Sequence, residues 1–174
     1  MLITRIEATD YLCLRSVKQD LGPFQILVGP NGSGKSAFMD VLAFLGSLMA
    51  KDLDKAVEER TQNFYDLVWG RGATSFRLGL TAQVGDRGTG GPQEEKRKTI
   101  FYRVSVRLDS KTDMPGIAEE SAEVEMPLAP HRLRVPVLSR KYETMETRGE
   151  AAEPPLKRGI AGSLSGLPCF PREE

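Results

Sequence analysis

Polar and apolar residues alternate roughly along the first part of the chain. The stretch LITRIEAT, residues 2–9, combines this alternation with β-branched side chains, which is typical of a β-strand. Residues 12–17 predict a second short strand, and the Gly-Pro pair in DLGPF, residues 20–24, indicates a turn. The next run, FQILV at residues 24–28, is almost continuously apolar. It therefore predicts a strand that is buried on both faces.

After residue 35 the apolar residues recur every three or four positions, and this spacing predicts a helix with one apolar face. The stretch KDLDKAVEERT, residues 51–61, continues this helix or begins a second one. Its acidic residues are spaced against Lys and Arg, which suits a solvated face. The apolar set of the helix comprises Ala37, Phe38, Val41, Leu42, Leu45, Leu48 and Met49.

The middle of the chain returns to strand-like alternation. Residues 74–85, TSFRLGLTAQVG, and residues 98–109, KTIFYRVSVRLD, are rich in β-branched and aromatic side chains. A glycine-rich, charged stretch at 86–97 separates them, so the pair predicts a long hairpin. SAEVEMPL, residues 121–128, predicts a further strand. Residues 131–140 predict an edge strand, because prolines interrupt regular pairing there.

The composition changes near residue 144, where proline and glycine become frequent and core-forming residues become rare. We therefore expect one folded domain over residues 1–143, followed by a flexible or disordered tail over residues 144–174. The predicted fold class is α/β, with a mixed sheet around residues 24–28 and a helix from Lys35. An antiparallel β subdomain is expected over about residues 74–127.

Charge and residue usage narrow the possible functions. Lys plus Arg and Asp plus Glu both number 24, so the net charge is zero and gives no global attraction to nucleic acid or anionic lipid. No apolar run approaches the roughly 18 residues that span a bilayer, and the N-terminus carries charges where a signal peptide is apolar. Cys13, Cys169 and His131 are too few for a disulfide framework or a Cys- or His-rich metal site. We expect a cytoplasmic protein.

GPNGSGKS, residues 29–36, fits the phosphate-binding pattern G-x-x-x-x-G-K-[ST], with a predicted strand before it and a helix after it. Glycine permits positive φ angles, so that successive N–H groups can point at phosphate oxygens. Lys35 would contact the β- and γ-phosphates, and the hydroxyl of Ser36 would bind Mg²⁺. The predicted nucleotide-binding residues of the loop are Gly29, Pro30, Asn31, Gly32, Ser33, Gly34, Lys35 and Ser36. The alternative is a glycine-rich turn that caps an ordinary helix.

The loop and its flanks, YLCLRSVKQDLGPFQILVGPNGSGKSAFMDVLAFL at residues 11–45, resemble the N-terminal lobe of the SMC/RecF-like branch of ABC-type ATPases. They are similar in particular to bacterial predicted AAA-family ATPases related to RecF and the OLD nucleases. The resemblance covers roughly residues 1–110. It rests on Leu14-Arg15-Ser16, on the loop, and on the helix of Met39–Leu45.

The resemblance implies a lobe that binds ATP and Mg²⁺ and that works in a head-to-head dimer. It also implies that Arg15 and Ser16 lie near the nucleotide, the alternative being an exposed strand end. A Gln that senses Mg²⁺ and the attacking water is a further family feature. Gln62 and Gln83 are the candidates, and a surface role is the alternative for both.

The sequence departs from this family in the parts that hydrolyse ATP. The family uses four apolar residues running into Asp-Glu, and the nearest stretch here, RVSVRLD at residues 103–109, has alternating charges instead. The LSGG[QE] signature is matched only in part by SLSGLP at residues 163–168, and the switch histidine region is absent. We therefore expect the C-terminal half of the ATPase head to be missing. Hydrolysis would then require that half. Three explanations fit: a truncated or fragmentary gene product, a partner lobe on a separate polypeptide, or a degenerate nucleotide-binding module.

Two alternatives belong to other classes. A small-molecule or nucleotide kinase shares the loop pattern, but the strand-like residues before the loop and the β-rich middle fit it poorly. A nucleotide-dependent DNA or protein interaction module is suggested by basic runs at residues 94–98 and 131–141. Such runs are more often solvated faces, and the zero net charge does not support DNA binding.

Overall fold

The computed structural model describes residues 1–85, 97–109, 111–128 and 131–141. The alternating segments of these residues form six strands in one sheet, and every strand pair is antiparallel. The order across the sheet is β2-β1-β3-β4-β5-β6. The strands are β1 (Leu2–Tyr11), β2 (Leu14–Asp20), β3 (Ser75–Val84), β4 (Lys98–Leu108), β5 (Pro115–Leu128) and β6 (His131–Lys141).

The two described helices lie between β2 and β3 in the chain. Helix α1 spans Lys35–Ala50 and follows the glycine-rich loop, and helix α2 spans Leu53–Glu58. The side chain of Asp52 caps α2 by accepting a hydrogen bond from the Lys55 N–H at 2.7 Å. Single 3₁₀ turns follow at Phe64–Asp66 and Trp69–Arg71. Neither helix in the described part of the chain has the length and apolarity needed to cross a membrane.

The apolar face of α1 joins the core on one face of the sheet. Aromatic rings form its centre: the Tyr11 ring lies 5.8 Å from that of Phe44 and 5.0 Å from that of Phe76. The Phe44 and Phe76 rings are 5.4 Å apart, edge to face, which is a favoured geometry for aromatic pairs. Buried residues of α1 are Ala37, Phe38, Val41, Phe44, Leu45 and Leu48. The predicted apolar face is thus largely confirmed, although Met49 is exposed.

The predicted mixed sheet is wrong for the described residues, while the combination of strands with a helix after the loop is confirmed. The predicted β subdomain has antiparallel strands as expected, and these strands continue the N-terminal sheet, because β3 pairs with β1 over Leu2–Thr9. The hairpin of β3 and β4 therefore extends the same sheet that begins at the N-terminus. Pairing of this kind follows from matched alternation: Leu78 and Val104 lie opposite one another in the register, and both are buried.

The predicted buried strand at residues 24–28 is not formed. Residues 25–30 have no regular secondary structure, and the side chains of Phe24 and Val28 are 79% and 88% exposed. An apolar run becomes a buried strand only when neighbouring strands complete its hydrogen bonds and cover both faces. Within the described residues no strand pairs with this segment. The predicted tail, residues 144–174, lies outside the described residues.

Two truncations to Ala separate the core from the exposed apolar run. Leu45 is 0% exposed, and Leu45→Ala is expected to lower the free energy of unfolding by about 2–5 kcal/mol, because it leaves a cavity. Ile26 is 69% exposed, and Ile26→Ala is expected to change the free energy of unfolding by less than about 0.5 kcal/mol. Urea denaturation followed by far-ultraviolet circular dichroism measures both. A similar cost at the two positions would contradict the exposed placement of residues 24–28.

Candidate functional site

The glycine-rich loop reaches α1 through two glycines with positive φ. Gly32 has φ 81° and Gly34 has φ 90°, a conformation that side chains with a Cβ rarely adopt. Gly34 directly precedes α1, and no described side chain caps this helix end. The N–H groups of the first helical turn, together with the positive end of the helix dipole, therefore face the loop. Such an arrangement binds anions.

Lys35 places its ammonium group against the loop. Its Nζ donates hydrogen bonds to the carbonyl oxygens of Gly29 and Pro30, both at 2.7 Å, and lies 3.4 Å from Ser33 Oγ. The side chain thus folds back over the loop from the first position of α1. A positive charge at this point adds to the anion-binding character of the helix end.

An open cavity of about 500 Å³ lies beside the start of α1, lined by Leu27, Lys35, Ser36, Met39, Asp40 and Ala43. This volume lies within the range of small-molecule sites. Lys35 and Ser36 belong to the first turn of the helix. Asp40 follows Ser36 by four positions and so lies on the same helical face. One end of the cavity thus carries the ammonium group of Lys35 and the hydroxyl of Ser36. The rest is lined by the carboxylate of Asp40 and by apolar side chains.

The turn between β1 and β2 packs against the end of the loop. A Cβ added to Gly34 would lie 3.3 Å from Cys13 Sγ and 3.3 Å from Leu14 Cδ2. This contact brings Arg15, the next residue, close to the loop, and its guanidinium carbon lies 5.1 Å from the centre of the Trp69 ring. Ser16 follows on the opposite side of the strand. The nucleotide contacts of both residues stay predictions.

The two glutamine candidates lie in different parts of the structure. Gln83 is opposite Leu2 in the register, at the end of β1 remote from the loop. Since a strand rises about 3.3 Å per residue, β1 alone separates Gln83 from the turn at Tyr11 by roughly 30 Å. Gln62 is exposed and lies between α2 and the first 3₁₀ turn. The structure therefore does not bring Gln83 to the loop.

A hydrogen-bonded group around Asp40 was not predicted from the sequence. Tyr11 Oη donates to Asp40 Oδ2 at 2.5 Å, and Arg60 Nε donates to Oδ2 at 2.9 Å and to Oδ1 at 3.1 Å. Arg60 Nη1 also donates to the carbonyl oxygen of Ala56 at 2.8 Å. The sequence signal was limited to a single acidic residue in an otherwise uncharged stretch of helix. Its partners are 29 and 20 positions away in the chain.

Burial keeps the Tyr11 hydroxyl protonated. Burial raises the pKa of the Tyr11 hydroxyl far above its ordinary value, and the hydrogen bond to Asp40 raises this pKa further. The phenol thus remains a hydrogen-bond donor throughout the physiological pH range. Among the described residues, no group of three or more His, Cys, Asp or Glu side chains could hold a metal ion.

Comparison with known families identifies the family to which the chain belongs. Residues 24–115, just over half of the chain, match the family described as "AAA domain, putative AbiEii toxin, Type IV TA system". The chain therefore belongs to this AAA-domain family, and the predicted resemblance to AAA-family ATPases is confirmed. The matched region contains the glycine-rich loop, α1 and the β3–β4 hairpin. Nucleotide binding is the property that this class of domain suggests.

One solved structure that the comparison found is described as "Structural biochemistry of ATP-driven dimerization and DNA stimulated activation of SMC ATPases". It shares 24% sequence identity with the chain, over 71% of this chain and 69% of that chain, with a TM-score of 0.44. No curated protein matches the chain.

Gly34, directly before α1, and Gly46, within α1, provide a matched test of the loop geometry. Gly34→Ala is expected to lower the free energy of unfolding by about 1–2 kcal/mol, because the left-handed conformation strains a residue with a Cβ. Gly46→Ala is expected to raise the free energy of unfolding by about 0.5–1 kcal/mol, since Gly46 is helical and its added Cβ meets no described atom within 4 Å. Thermal denaturation measures both. Changes of the same sign would contradict the left-handed conformation at Gly34.

Proposed function

We propose that the chain binds Mg-ATP at the loop formed by residues 29–36. The observation that carries this proposal is the convergence of three features on one point: two glycines with positive φ, the uncapped start of α1, and the Lys35 ammonium. Each feature favours negative charge, and together they match the geometry that phosphate groups require. The family match is consistent with a nucleotide as the anion.

The residues of the loop take different roles in this proposal. The backbone N–H groups of Gly32, Ser33 and Gly34 would surround the phosphate oxygens. Lys35 would exchange its hydrogen bonds with the loop carbonyls for contacts with the β- and γ-phosphates. Ser36 would hold Mg²⁺ through its hydroxyl, and the ion would neutralise charge on the phosphates. Arg15, held beside Trp69, lies next to the turn that contacts Gly34 and would border the nucleotide.

Hydrolysis requires groups that this sequence does not contain. An attacking water needs a base or a positioning residue, and Mg²⁺ in this class of site is usually also held by a strand-end carboxylate. The dipeptide Asp-Glu does not occur in the sequence, and no complete LSGG[QE] signature occurs. We therefore propose that turnover depends on a second lobe that another polypeptide supplies, and that this chain alone binds ATP without turning it over.

The two alternative functions fit the structure less well. A kinase of the usual α/β type would alternate helices with strands along the chain, whereas β3 to β6 follow one another without a helix between them in the described residues. The basic run at residues 131–141 is compensated by glutamates of β5: Arg132 pairs with Glu125 at 2.9 Å and Arg134 pairs with Glu123 at 3.0 Å. Such pairing disfavours a role of this run in binding nucleic acid. Most of the other basic run, residues 94–96, lies outside the described residues.

Titration with Mg-ATP, with phosphate release followed in the same samples, tests the proposal. Wild-type protein is expected to bind Mg-ATP without turnover. Lys35→Ala is expected to weaken binding about 10- to 100-fold, because hydrogen bonds to charged groups contribute about 1.5–3 kcal/mol. Lys18→Ala is the control, since Lys18 is an exposed lysine of β2 that pairs with Glu7 at 3.6 Å. It is expected to bind as wild type.

Three other outcomes of the titration would each have a different meaning. Wild-type protein that fails to bind Mg-ATP would overturn the proposed function. Phosphate release that Lys35→Ala abolishes would confirm the site but would show that the chain contains a catalytic base. Equal losses in Lys35→Ala and Lys18→Ala would attribute the effect to net charge instead of to the loop.

A further inference from the structure

We propose that Asp40 is a positioning residue for nucleotide binding, and that Tyr11 and Arg60 hold it in place. Asp40 would act without contacting the nucleotide, by fixing the rotation of the first turns of α1 and thereby the placement of Lys35 and Ser36. This inference rests on the proposed function, since it concerns the affinity of the same site.

Two kinds of contact hold α1 in place. On one side the helix packs through apolar side chains such as Phe38 and Val41, and apolar packing has little directional preference. Asp40 supplies the directional contact, because hydrogen bonds weaken steeply when they are misaligned. Its carboxylate is held from two other parts of the fold at once: by Tyr11 at the end of β1 and by Arg60, two residues after α2. A rotation of α1 would break both contacts.

The turn that contains Tyr11 connects these contacts to the loop. Tyr11 is fully buried and lies between two residues with left-handed conformation, Asp10 with φ 55° and Leu12 with φ 51°. Such residues store strain that the surrounding structure must hold in place. The Leu12 N–H donates to the carbonyl oxygen of Leu67 at 2.7 Å, which ties the turn to the segment between the two 3₁₀ turns. The turn is thus fixed to this segment at the residue that follows Tyr11.

This turn also contacts the loop directly, because Cys13 and Leu14 pack against Gly34. One short segment of the chain, residues 10–14, therefore holds the loop–helix junction at two points. Tyr11 holds the second turn of α1 through Asp40, and Cys13 and Leu14 hold the residue before the first turn. The exposed loop itself has few ties of its own: Ser33 N–H donates to Pro30 O at 3.3 Å, and Lys35 bonds the loop carbonyls. The placement of Lys35 and Ser36 thus depends on the helix.

The test compares Tyr11→Phe and Asp40→Asn with a control on the same helix. Tyr11→Phe removes one hydroxyl and leaves the aromatic packing, and Asp40→Asn preserves the side-chain shape. Ser47→Ala is the control, because Ser47 Oγ donates to Glu59 Oε2 at 2.8 Å and so ties α1 to the residue after α2 at the far end of the helix. Each of the first two variants is expected to weaken Mg-ATP binding about three- to tenfold. Ser47→Ala is expected to bind within twofold of wild type.

A double-variant measurement distinguishes positioning from general loosening. Where Lys35 is already Ala, Asp40→Asn is expected to change affinity by clearly less than it does in wild-type protein, because the group that it positions is gone. An undiminished loss in that background would overturn the proposal. Wild-type affinity in both Tyr11→Phe and Asp40→Asn would overturn it as well.

Amide hydrogen exchange in the nucleotide-free protein keeps this inference separable from the proposed function. The Phe38 N–H donates to the Gly34 carbonyl oxygen at 2.8 Å, at the junction of loop and helix. Asp40→Asn is expected to speed exchange of the amides of residues 38–41 several-fold, while Ser47→Ala leaves them unchanged. Unchanged exchange in Asp40→Asn would overturn the positioning role. Faster exchange in a protein that fails to bind Mg-ATP would support that role and reject only the proposed function.

Discussion

The packing of α1 against the sheet is the interaction on which the rest of the structure depends. The buried side chains of β1, β3 and β4 form one apolar face, which would be left in water without a covering helix. The rings of Tyr11, Phe44 and Phe76 meet where β1, α1 and β3 converge, and all three are essentially fully buried. These aromatic contacts join the N-terminal strand, the helix and the hairpin into one core. This core also fixes the position of the loop, because α1 begins where the loop ends.

Tyr11 connects this apolar core to the polar chemistry of the loop. Its ring packs with Phe44 and Phe76, and its hydroxyl reaches Asp40 on the cavity side of α1. A buried hydroxyl is costly unless it has a partner, and here the partner is a carboxylate that Arg60 also neutralises. The same side chain therefore contributes to stability through its ring and to the geometry of the candidate site through its oxygen.

Local patterns in the sequence predicted the parts of the fold that depend on residues close together in the chain. The glycines, Lys35 and Ser36 identify the loop because their roles depend on backbone conformation and charge at adjacent positions. The spacing of apolar residues identified the buried face of α1. The environment of residues 24–28 and the partners of Asp40 could not be found in this way. Both depend on residues far away in the chain, and the periodicity of a segment does not say which elements lie beside it.

The uncovered side of α1 limits where a hydrolytic group could approach. The sheet occupies one side of the helix, so anything that reaches a phosphate bound at Lys35 and Ser36 would have to come from the cavity side. That side carries the exposed apolar side chains of Leu27 and Met39, which line the cavity. An apolar surface at such a point favours association with a protein over contact with water. The proposed dependence of turnover on a second lobe is therefore compatible with the fold, because the space that such a lobe would need is open.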